Sequence, residues 1–466
     1  MGSQLEREAV FQTRILPVNT QALGQFVDRK TLEVWQLPKN DANLKPLKDA
    51  AKLLRETYIP VGFPTETVYG LGADATRSAS VKGIYKAKGR PSDNPLIIHV
   101  CDLSMLQNLL LPAGQESSLS ATKDLIPAIY KPLIERFWPG PLTILLPNPQ
   151  PSKLAPEVTA GLSTFGARMP DSPLALSLIH LAGVPLAAPS ANASTKPSPT
   201  TAEHVRYDLE GKIEVVLDGG PCLVGVESTV VDGMCDPPVV LRPGGVSIDE
   251  IRKCQGWEGV VKGYKDQSEI GAAAPRAPGM KYKHYSPKAK VVLYEGNRRG
   301  IPSEALRLAE AKEQQTSYLS LGTSTWPIKV GIVRTKHWGS WAGFREAVDA
   351  TTKTGTTVTD VESLRTNNSF FMRKGKLMHG AFVDRSTRLH SMNKNPSLER
   401  QTCLAELVEI ALGHETKDIA HGLFSALRDL DLRGVDIIYV EGIEDEGDIA
   451  AAVMNRLRKA ATIIEK

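Results

Sequence analysis

Several features that identify common protein classes are missing from this 466-residue sequence. It has five cysteines, an odd number, and none of them form a CxxC pair, so neither a disulfide framework nor a structural zinc site is expected. No apolar run approaches the roughly 20 residues that span a bilayer, and we expect no membrane contact. The first residues, MGSQLEREAVF, include acids and no apolar core, unlike a secretory signal. We therefore expect a cytoplasmic protein, and the few acids around Arg7 and Arg14 leave a mitochondrial pool open.

An excess of charge of one sign is also missing. The chain has 56 Lys and Arg residues against 52 Asp and Glu residues, a formal net charge of +4. A dedicated nucleic-acid-binding protein usually shows a concentrated basic patch as well as a surplus, and the surplus here is small. With 41% hydrophobic and 23% charged residues, the composition is typical of a globular protein with two or three domains.

Familiar catalytic motifs are missing too. The sequence has no GxxxxGK[ST] loop, which disfavours a P-loop kinase, and no GxGxxG after a strand, which disfavours a Rossmann dinucleotide site. No Ser-His-Asp or Cys-His arrangement indicates a covalent nucleophile. The remaining polar residues fit a reaction that is catalysed by positioning the substrates and by neutralising phosphate charge.

Helical and strand patterns alternate over residues 1–260. Apolar positions recur at three and four residues over 43–58, which predicts an amphipathic helix. Short apolar runs typical of buried strands lie at 96–100 and 142–146. Alternation of this kind predicts one α/β domain with a twisted, mixed sheet.

The alternation breaks at 261–290, a segment rich in Gly, Ala and Pro that we interpret as a linker. Near its end lie two tyrosines, Tyr282 and Tyr285, and a passive spacer would gain nothing from exposed rings. We therefore predict that the linker closes over the active site. Residues 291–466 are predicted to form a smaller Rossmann-like α/β domain. Within it, 366–401 is rich in Asn, Ser, Arg and Lys and is predicted to be a mobile insertion.

Cations and hydroxyls gather in four parts of the first domain. They are PTETVYGLG at 64–72, KAKGRPSDNPL at 86–96, ARMP at 167–170 with APSANAS at 188–194, and GVESTVVD at 225–232 with LRPGG at 241–245. In the second part Gly89 and Pro91 fix the turn around Arg90, whose planar donor fork matches phosphate or carboxylate oxygens. In the third, hydroxyls before a helix N-terminus suit an anion.

Each part alone also has an ordinary interpretation. Cations favour the C-terminal ends of helices, Ser, Pro and Asn are what loops contain, and a single His in an apolar strand is more often a core residue. Together the parts indicate an enzyme that binds a polyphosphate and a small carboxylate. From the residues alone we predict a nucleotide-using enzyme, without a specific substrate or reaction.

The same parts, with WPGPLT at 138–143 and KPSPT at 196–200, resemble the YrdC type of threonylcarbamoyl-AMP synthase in its long two-domain form. The stretches that match the long form are APGMKYKHYSP at 277–287, GLFSALRDLD at 422–431 and MNRLRKAA at 454–461. The resemblance implies a YrdC-like fold for the first domain. It implies condensation of L-threonine, bicarbonate or CO₂ and ATP to threonylcarbamoyl-AMP and pyrophosphate, for the threonylcarbamoyladenosine (t6A) modification of tRNA. Mg²⁺ and a downstream threonylcarbamoyl transferase complex acting on tRNA are implied as well.

The resemblance also implies a role for each matching residue. L-threonine is expected to contact Thr67, His99, Arg168, Ala188 and Ser228, with Arg168 on its carboxylate. ATP is expected to contact Lys88, Arg90, Asn94, Thr164, Ser190, Ser198, Arg242 and Tyr285, with Tyr282 as the alternative to Tyr285. Lys88 and Arg90 are the expected catalytic residues, as stabilisers of charge. No residue is an obvious general base, and no protein metal ligand is expected.

Two other functions stay open. One is a module that binds double-stranded RNA or tRNA without chemistry of its own, through the cations Lys82, Lys86, Lys88 and Arg90. Its binding would weaken steeply with salt. The other is a carbamoyltransferase that acts on a different acceptor and takes carbamoyl phosphate as donor. A weak RNA contact is compatible with the synthase as well.

Overall fold

The structure is a computed structural model. It describes residues 12–39, 42–115, 124–264, 285–296, 328–346, 356–365, 370–379, 402–447 and 449–466. The chain divides into two compact units, residues 1–285 with 445–459, and residues 286–444 with 460–466. Within the described ranges no helix has both the length and the apolar character needed to cross a membrane.

The first unit is built on one large sheet. Its strands, in chain order, are β1 (Arg14–Pro17), β2 (Gln25–Phe26), β3 (Trp35–Gln36), β4 (Val61–Pro64), β5 (Tyr69–Asp74), β6 (Ile97–His99), β7 (Leu142–Pro147), β8 (Thr164–Arg168), β9 (Leu186–Ala187), β10 (Val215–Asp218), β11 (Thr229–Asp232), β12 (Val239–Arg242) and β13 (Val261–Lys262). β2 and β3 pair with each other, and the other eleven form the sheet in the order β1-β10-β4-β5-β9-β6-β8-β7-β11-β12-β13. Parallel pairs such as β6 with β8 alternate with antiparallel pairs such as β7 with β8, so the predicted mixed sheet is confirmed.

Helices cover this sheet. Those described before residue 285 are α1 (Lys45–Glu56), α2 (Ser78–Lys88), α3 (Leu103–Leu109), α4 (Lys131–Phe137), α5 (Pro156–Thr159), α6 (Pro173–Ala182), α7 (Ala202–Leu209) and α8 (Ile248–Arg252). In α1 the apolar stripe Leu47, Ala51 and Leu54 is buried, as its spacing predicts. α2 ends at Gly89, whose left-handed backbone (φ 65°) terminates the helix, so the chain turns sharply at Arg90.

The second unit has a mixed α/β fold of its own. Its described elements are β14 (Lys290–Tyr294), β15 (Ile328–Arg334), β16 (Arg345–Glu346), β17 (Thr356–Arg365), β18 (Phe371–His379), β19 (Thr402–Ala411), α9 (Thr416–Leu432), β20 (Ile437–Glu441) and β21 (Ile463–Glu465). The strand order is β16-β17-β18-β19-β15-β20-β14-β21. β19, β15, β20, β14 and β21 run parallel, which is the predicted Rossmann-like part.

The prediction of a mobile insertion at 366–401 is wrong for part of its length. Residues 371–379 form β18, which pairs antiparallel with β17 and β19 along its whole length. The polar composition is misleading because only some side chains of this strand are buried. Met372 and Leu377 are buried and apolar, whereas Lys374 and Lys376 are exposed. Residues 366–369 and 380–401 lie outside the described residues.

One further helix, α10 (Ala450–Ala460), lies between β20 and β21 in sequence, yet residues 445–459 belong to the first unit. The sequence patterns predict that all of 291–466 forms the second domain. The division into a catalytic domain at 1–260 and a linker at 261–290 stays a prediction. The unit boundaries differ from the predicted domains by assigning residues 445–459, most of α10, to the unit that contains the polar motifs of the first 260 residues.

A glycine in α2 gives a test of how tightly this helix packs. A Cβ at Gly83 would lie 2.1 Å from the carbonyl oxygen of Tyr58. Alanine normally stabilises a helix by about 1 kcal/mol over glycine. Here we expect Gly83→Ala to lower the free energy of unfolding by about 1–3 kcal/mol, because overpacking outweighs propensity. Denaturant unfolding of the full chain measures it.

Gly259→Ala is the matched control, because its Cβ would meet nothing within 4 Å. It should change the free energy of unfolding by less than about 0.5 kcal/mol. A Gly83→Ala variant as stable as the parent chain would contradict the packing described for α2.

Candidate active site

A pocket in the first unit collects residues from all four polar parts of the sequence. All but two of the predicted site residues line it: Thr67, Lys88, Arg90, His99, Arg168, Ala188, Ser190, Ser198, Ser228, Arg242 and Tyr285. The sheet brings them together because β5, β9, β6 and β8 are neighbours in it.

Arg168 is the last residue of β8 and is 4% exposed. Its Nη2 lies 2.6 Å from Glu66 Oε1, its Nη1 donates to Thr67 Oγ1 at 2.9 Å, and its Nε donates to the carbonyl of Gly140 at 3.1 Å. A guanidinium has five N–H donors. Among the described residues only Nε and Nη1 donate hydrogen bonds, because the Nη2 contact with Glu66 is an ion pair without hydrogen-bond geometry. Three N–H groups therefore have no hydrogen-bond partner there, and a bidentate carboxylate needs two.

His99 stands opposite Arg168 in the parallel pairing of β6 and β8. Its Nδ1 is buried and has no hydrogen-bond partner among the described residues. Burial, helped by the positive charge of Arg168, lowers the pKa of His99 to about 3. The imidazole is therefore neutral at physiological pH and is available for one more hydrogen bond to a ligand.

Ser228 and Arg242 also line the pocket. The Ser228 hydroxyl shares a hydrogen bond of 2.8 Å with the hydroxyl of Thr143, and Arg242 Nη2 donates to the Ser228 carbonyl at 2.9 Å. Burial lowers the pKa of Arg242 to about 10, so it keeps its charge at neutral pH. Its guanidinium is held by backbone and side chain of the same serine, which fixes the charge beside the pocket.

Lys88 ends α2 and is 3% exposed. Its Nζ donates to the carbonyl of Ser190, to the carbonyl of Asn192 at 2.7 Å and to Asn192 Oδ1 at 3.5 Å. These acceptors are neutral, so they orient the ammonium without cancelling its charge. Arg90, two residues on, lines the pocket with its guanidinium 5.5 Å from the ring centre of Tyr85.

Asn192 is a pocket residue that the sequence interpretation missed. It lines the pocket, accepts from Lys88, and its Oδ1 also accepts from Ser190 Oγ at 2.5 Å. The signal was present, because Asn192 lies inside the APSANAS stretch two residues after Ser190. Because Asn is common in loops, its presence there does not by itself indicate a site.

Glu227 is a second pocket residue that was missed. Its Oε1 accepts from the predicted ATP residue Ser198 at 2.5 Å, and its Oε2 accepts from Arg456 Nε at 3.0 Å. Tyr285 lies beside it and is 6% exposed, and burial raises the pKa of Tyr285 to about 12, with Glu227 contributing. The phenol is therefore neutral at physiological pH.

Two predicted ATP residues do not reach the pocket wall. Thr164 begins β8, and four residues of strand place it about 13 Å along the strand from Arg168. Asn94 is buried before β6, where its carbonyl accepts from the hydroxyl of Tyr85 at 2.8 Å. Sequence proximity to a pocket residue does not decide which side chains line the pocket, and a role for Asn94 and Thr164 at ATP stays a prediction.

The linker is described only at its ends. Tyr285 lines the pocket, while Tyr282, the alternative for the same role, lies outside the described residues.

One group of possible metal ligands lies elsewhere in the described chain. It consists of Cys101, Asp102 and His180, none of which lines the pocket. The Cys101 thiol donates to Asp102 at 3.3 Å, and burial raises the pKa of that thiol, which opposes the thiolate that metals prefer.

Comparisons with known proteins show the family of this chain. A family model described as telomere recombination matches residues 53–244, and one described as threonylcarbamoyl-AMP synthase, C-terminal domain, matches residues 246–462. The threonylcarbamoyl-AMP synthase of Schizosaccharomyces pombe is 43% identical over 432 residues, which cover 90% of this chain and 88% of that protein. The Bacillus subtilis enzyme of the same name is 39% identical, over 91% of this chain and 95% of that protein.

A solved structure agrees as well. The crystal structure of Pyrococcus abyssi Sua5 complexed with L-threonine has 36% identity and a TM-score of 0.63, and the match covers 90% of this chain and 95% of that one. The matches run through both units and include each of the polar parts that build the pocket. This chain therefore belongs to the threonylcarbamoyl-AMP synthase family.

Proposed function

We propose that this chain makes threonylcarbamoyl-AMP in the pocket described above, from L-threonine, bicarbonate or CO₂ and ATP, with release of pyrophosphate. The product serves the t6A modification of tRNA. The observation that carries the proposal is a single pocket lined by Arg168, which keeps N–H groups without a hydrogen-bond partner among the described residues, by neutral His99 and by the cations Lys88, Arg90 and Arg242. This arrangement suits one small carboxylate and one polyphosphate.

L-threonine fits the end of the pocket that Arg168 and His99 form. Its carboxylate takes two N–H groups of Arg168, and its hydroxyl pairs with Nδ1 of His99. Ala188, 5% exposed, offers an apolar contact for the methyl group. A site whose buried polar groups are left unpaired by the wrong ligand discriminates strongly, so threonine is preferred to valine.

The chemistry needs positioning more than proton transfer. The threonine amine adds CO₂ to give a carbamate and releases a proton. A carbamate oxygen then attacks the α-phosphorus of ATP, the bond to the β-phosphate oxygen breaks, and pyrophosphate leaves. Lys88 and Arg90 stabilise the negative charge that grows on the phosphates. His99, with a pKa of about 3, is too weak a base to take the proton at neutral pH.

Mg²⁺ is the metal we propose for the triphosphate. Glu227 is the one carboxylate on the described pocket wall, and its oxygens already accept from Ser198 and Arg456. This donor set fits an ion that the phosphate oxygens and water hold, as is usual for Mg²⁺ at nucleotides. When bound, the ion would supply positive charge for the departing pyrophosphate.

The linker at 261–290 is proposed to close over this site. Its support is Tyr285, which is nearly buried and lines the pocket beside Glu227 and Arg242. A closed cover would exclude water while the reactive adenylate forms.

The downstream partner proposed for the product is a threonylcarbamoyl transferase complex that acts on tRNA, and any RNA contact of this chain itself is weak. Titration of labelled tRNA at low and physiological salt tests this, since tight binding that persists at physiological salt would contradict it. We propose a cytoplasmic location, which cell fractionation tests.

The decisive experiment for the function uses purified full-length chain with labelled bicarbonate, threonine and ATP. The expected result is a labelled adenylate and pyrophosphate release that needs threonine and proceeds without RNA. A chain that binds tRNA but releases no pyrophosphate would be an RNA-binding module, and use of carbamoyl phosphate in place of bicarbonate would indicate a carbamoyltransferase.

Arg90→Ala should lower kcat by about a hundredfold or more and leave the fold intact, because one stabiliser of charge is lost. Pyrophosphate release and a thermal melt measure the two effects. Lys86→Ala is the matched control, since Lys86 lies on the same helix end, is exposed and does not line the pocket. Its kcat should stay within about twofold of the parent. Equal loss in both variants would contradict the role of Arg90.

Threonine affinity should be flat from about pH 5 to about pH 7, because a His99 pKa near 3 keeps the imidazole neutral over this range. Calorimetric titration of threonine without ATP measures it. An affinity that changes about tenfold with a midpoint near pH 6.5, the ordinary histidine value, would mean that His99 titrates and is not buried as described.

Tyr285→Ala should raise KM for ATP several-fold, and ATP should protect the linker of the parent chain from proteolysis. Tyr285→Phe keeps the ring and should lose less. Tyr282→Ala serves as the comparison and should have the smaller effect. If Tyr282→Ala is the more damaging variant, the assignment of Tyr285 to ATP is wrong.

A further inference from the structure

The helix α10 brings a buried arginine to the pocket from 229 residues away in sequence. Arg456 is 1% exposed, its Nε donates to Glu227 Oε2 at 3.0 Å, and its Nη1 donates to the carbonyl of Pro243 at 2.5 Å. Burial opposes its charge, yet the carboxylate of Glu227 raises the pKa of Arg456 above its ordinary value. It is therefore a permanent cation behind the wall of the pocket.

Arg456 reaches the pocket only through its neighbours. Glu227, Ser198 and Tyr285 line the pocket, whereas Arg456 does not. Glu227 accepts from Ser198 Oγ on one oxygen and from Arg456 on the other, and it also forms a hydrogen bond with the Tyr285 side chain. The Arg456 guanidinium lies 5.7 Å from the centre of the Tyr285 ring, within the range of a cation–π contact. One ion pair thus holds two side chains of the proposed ATP subsite.

The charge of Glu227 makes this pair necessary. Burial opposes its ionisation, but Arg456 and then Arg242 outweigh burial and lower the pKa of Glu227 to about 2. The group is therefore a carboxylate at neutral pH. A lone carboxylate on the wall of a poorly solvated pocket would repel a triphosphate strongly. Paired with Arg456, the same group presents little net charge to the nucleotide.

We propose that Arg456 is a positioning residue of the ATP subsite, which neutralises and orients Glu227 so that Ser198 and Tyr285 are held against the nucleotide. The inference rests on the proposed function, because it assigns this wall of the pocket to ATP. The threonine end of the pocket, built on Arg168 and His99, has no contact with Arg456 among the hydrogen bonds and ion pairs of the described residues.

The test compares three variants of the full chain in steady-state kinetics, with threonine affinity and a thermal melt as separate readouts. Arg456→Met should raise KM for ATP by about tenfold or more, because it leaves Glu227 unpaired, while the threonine Kd changes by less than about twofold. Arg456→Met combined with Glu227→Gln removes both charges and should recover part of that loss in KM. Arg458→Ala is the control on the same helix, where Arg458 pairs with Asp445 at 2.6 Å, and its KM should match the parent.

The outcomes separate the two proposals. If the parent chain releases no pyrophosphate, the proposed function fails. If the parent is active and Arg456→Met keeps the KM for ATP of Arg458→Ala, the inference about Arg456 fails and the function stands. If Arg456→Met does not fold, the double variant decides, and its recovery of fold and of ATP affinity supports the inference. Loss of fold in both variants, or equal losses of threonine and ATP affinity, would assign Arg456 to the fold and overturn the proposal.

Discussion

The contact between Arg168 and Glu66 buries two opposite charges 2.6 Å apart, on side chains that are 4% and 6% exposed. Removing either partner of such a pair costs about 3–5 kcal/mol, because the other charge is left alone in a poorly solvated place. The remaining polar contacts of Arg168, with Thr67 and Gly140, fix the plane of the guanidinium. The parallel pairing of β6 with β8 then sets His99 opposite Arg168. The proposed threonine end of the pocket is the geometric result of these few constraints.

The other charged residues of the pocket are also held by fixed partners. Lys88 and Arg242 are held by neutral oxygens, and Glu227 is held between Ser198 and Arg456. A wall that keeps fixed cations in a concave, partly dry place attracts anions before any specific contact is made. The pocket therefore combines attraction for a polyphosphate with a rigid frame, and a reaction that proceeds by positioning needs both.

Local sequence predicted most of this site because its residues lie in short motifs between turns. Gly89 and the prolines around Arg90 fix backbone direction, and the strand patterns place Arg168 and Arg242 at strand ends. Local patterns do not decide side-chain direction: Asn94 and Thr164 lie in the same motifs and are not among the residues that line the pocket.

Local sequence patterns do not predict contacts between distant parts of the chain. Arg456 lies in an amphipathic helix whose spacing predicts burial, and nothing in that spacing says which carboxylate it meets. The strands β17 to β19 were missed for a related reason. Their stability comes from pairing with one another, so polar composition around 366–401 obscured a strand at 371–379.

The sequence separation between Glu227 and Arg456 has a consequence for how the protein is made. Ribosomes add about 5–20 residues per second, and domains generally begin to fold from their N-terminal side. The 229 residues between the two charges then take about 10–50 seconds to appear. During this interval the nascent first unit lacks the ion-pair partner of Glu227, and the pocket is completed only when almost the whole chain has been synthesised. A chain interrupted before α10 has a buried carboxylate without its ion pair, which ties the formation of a finished pocket to the completion of translation.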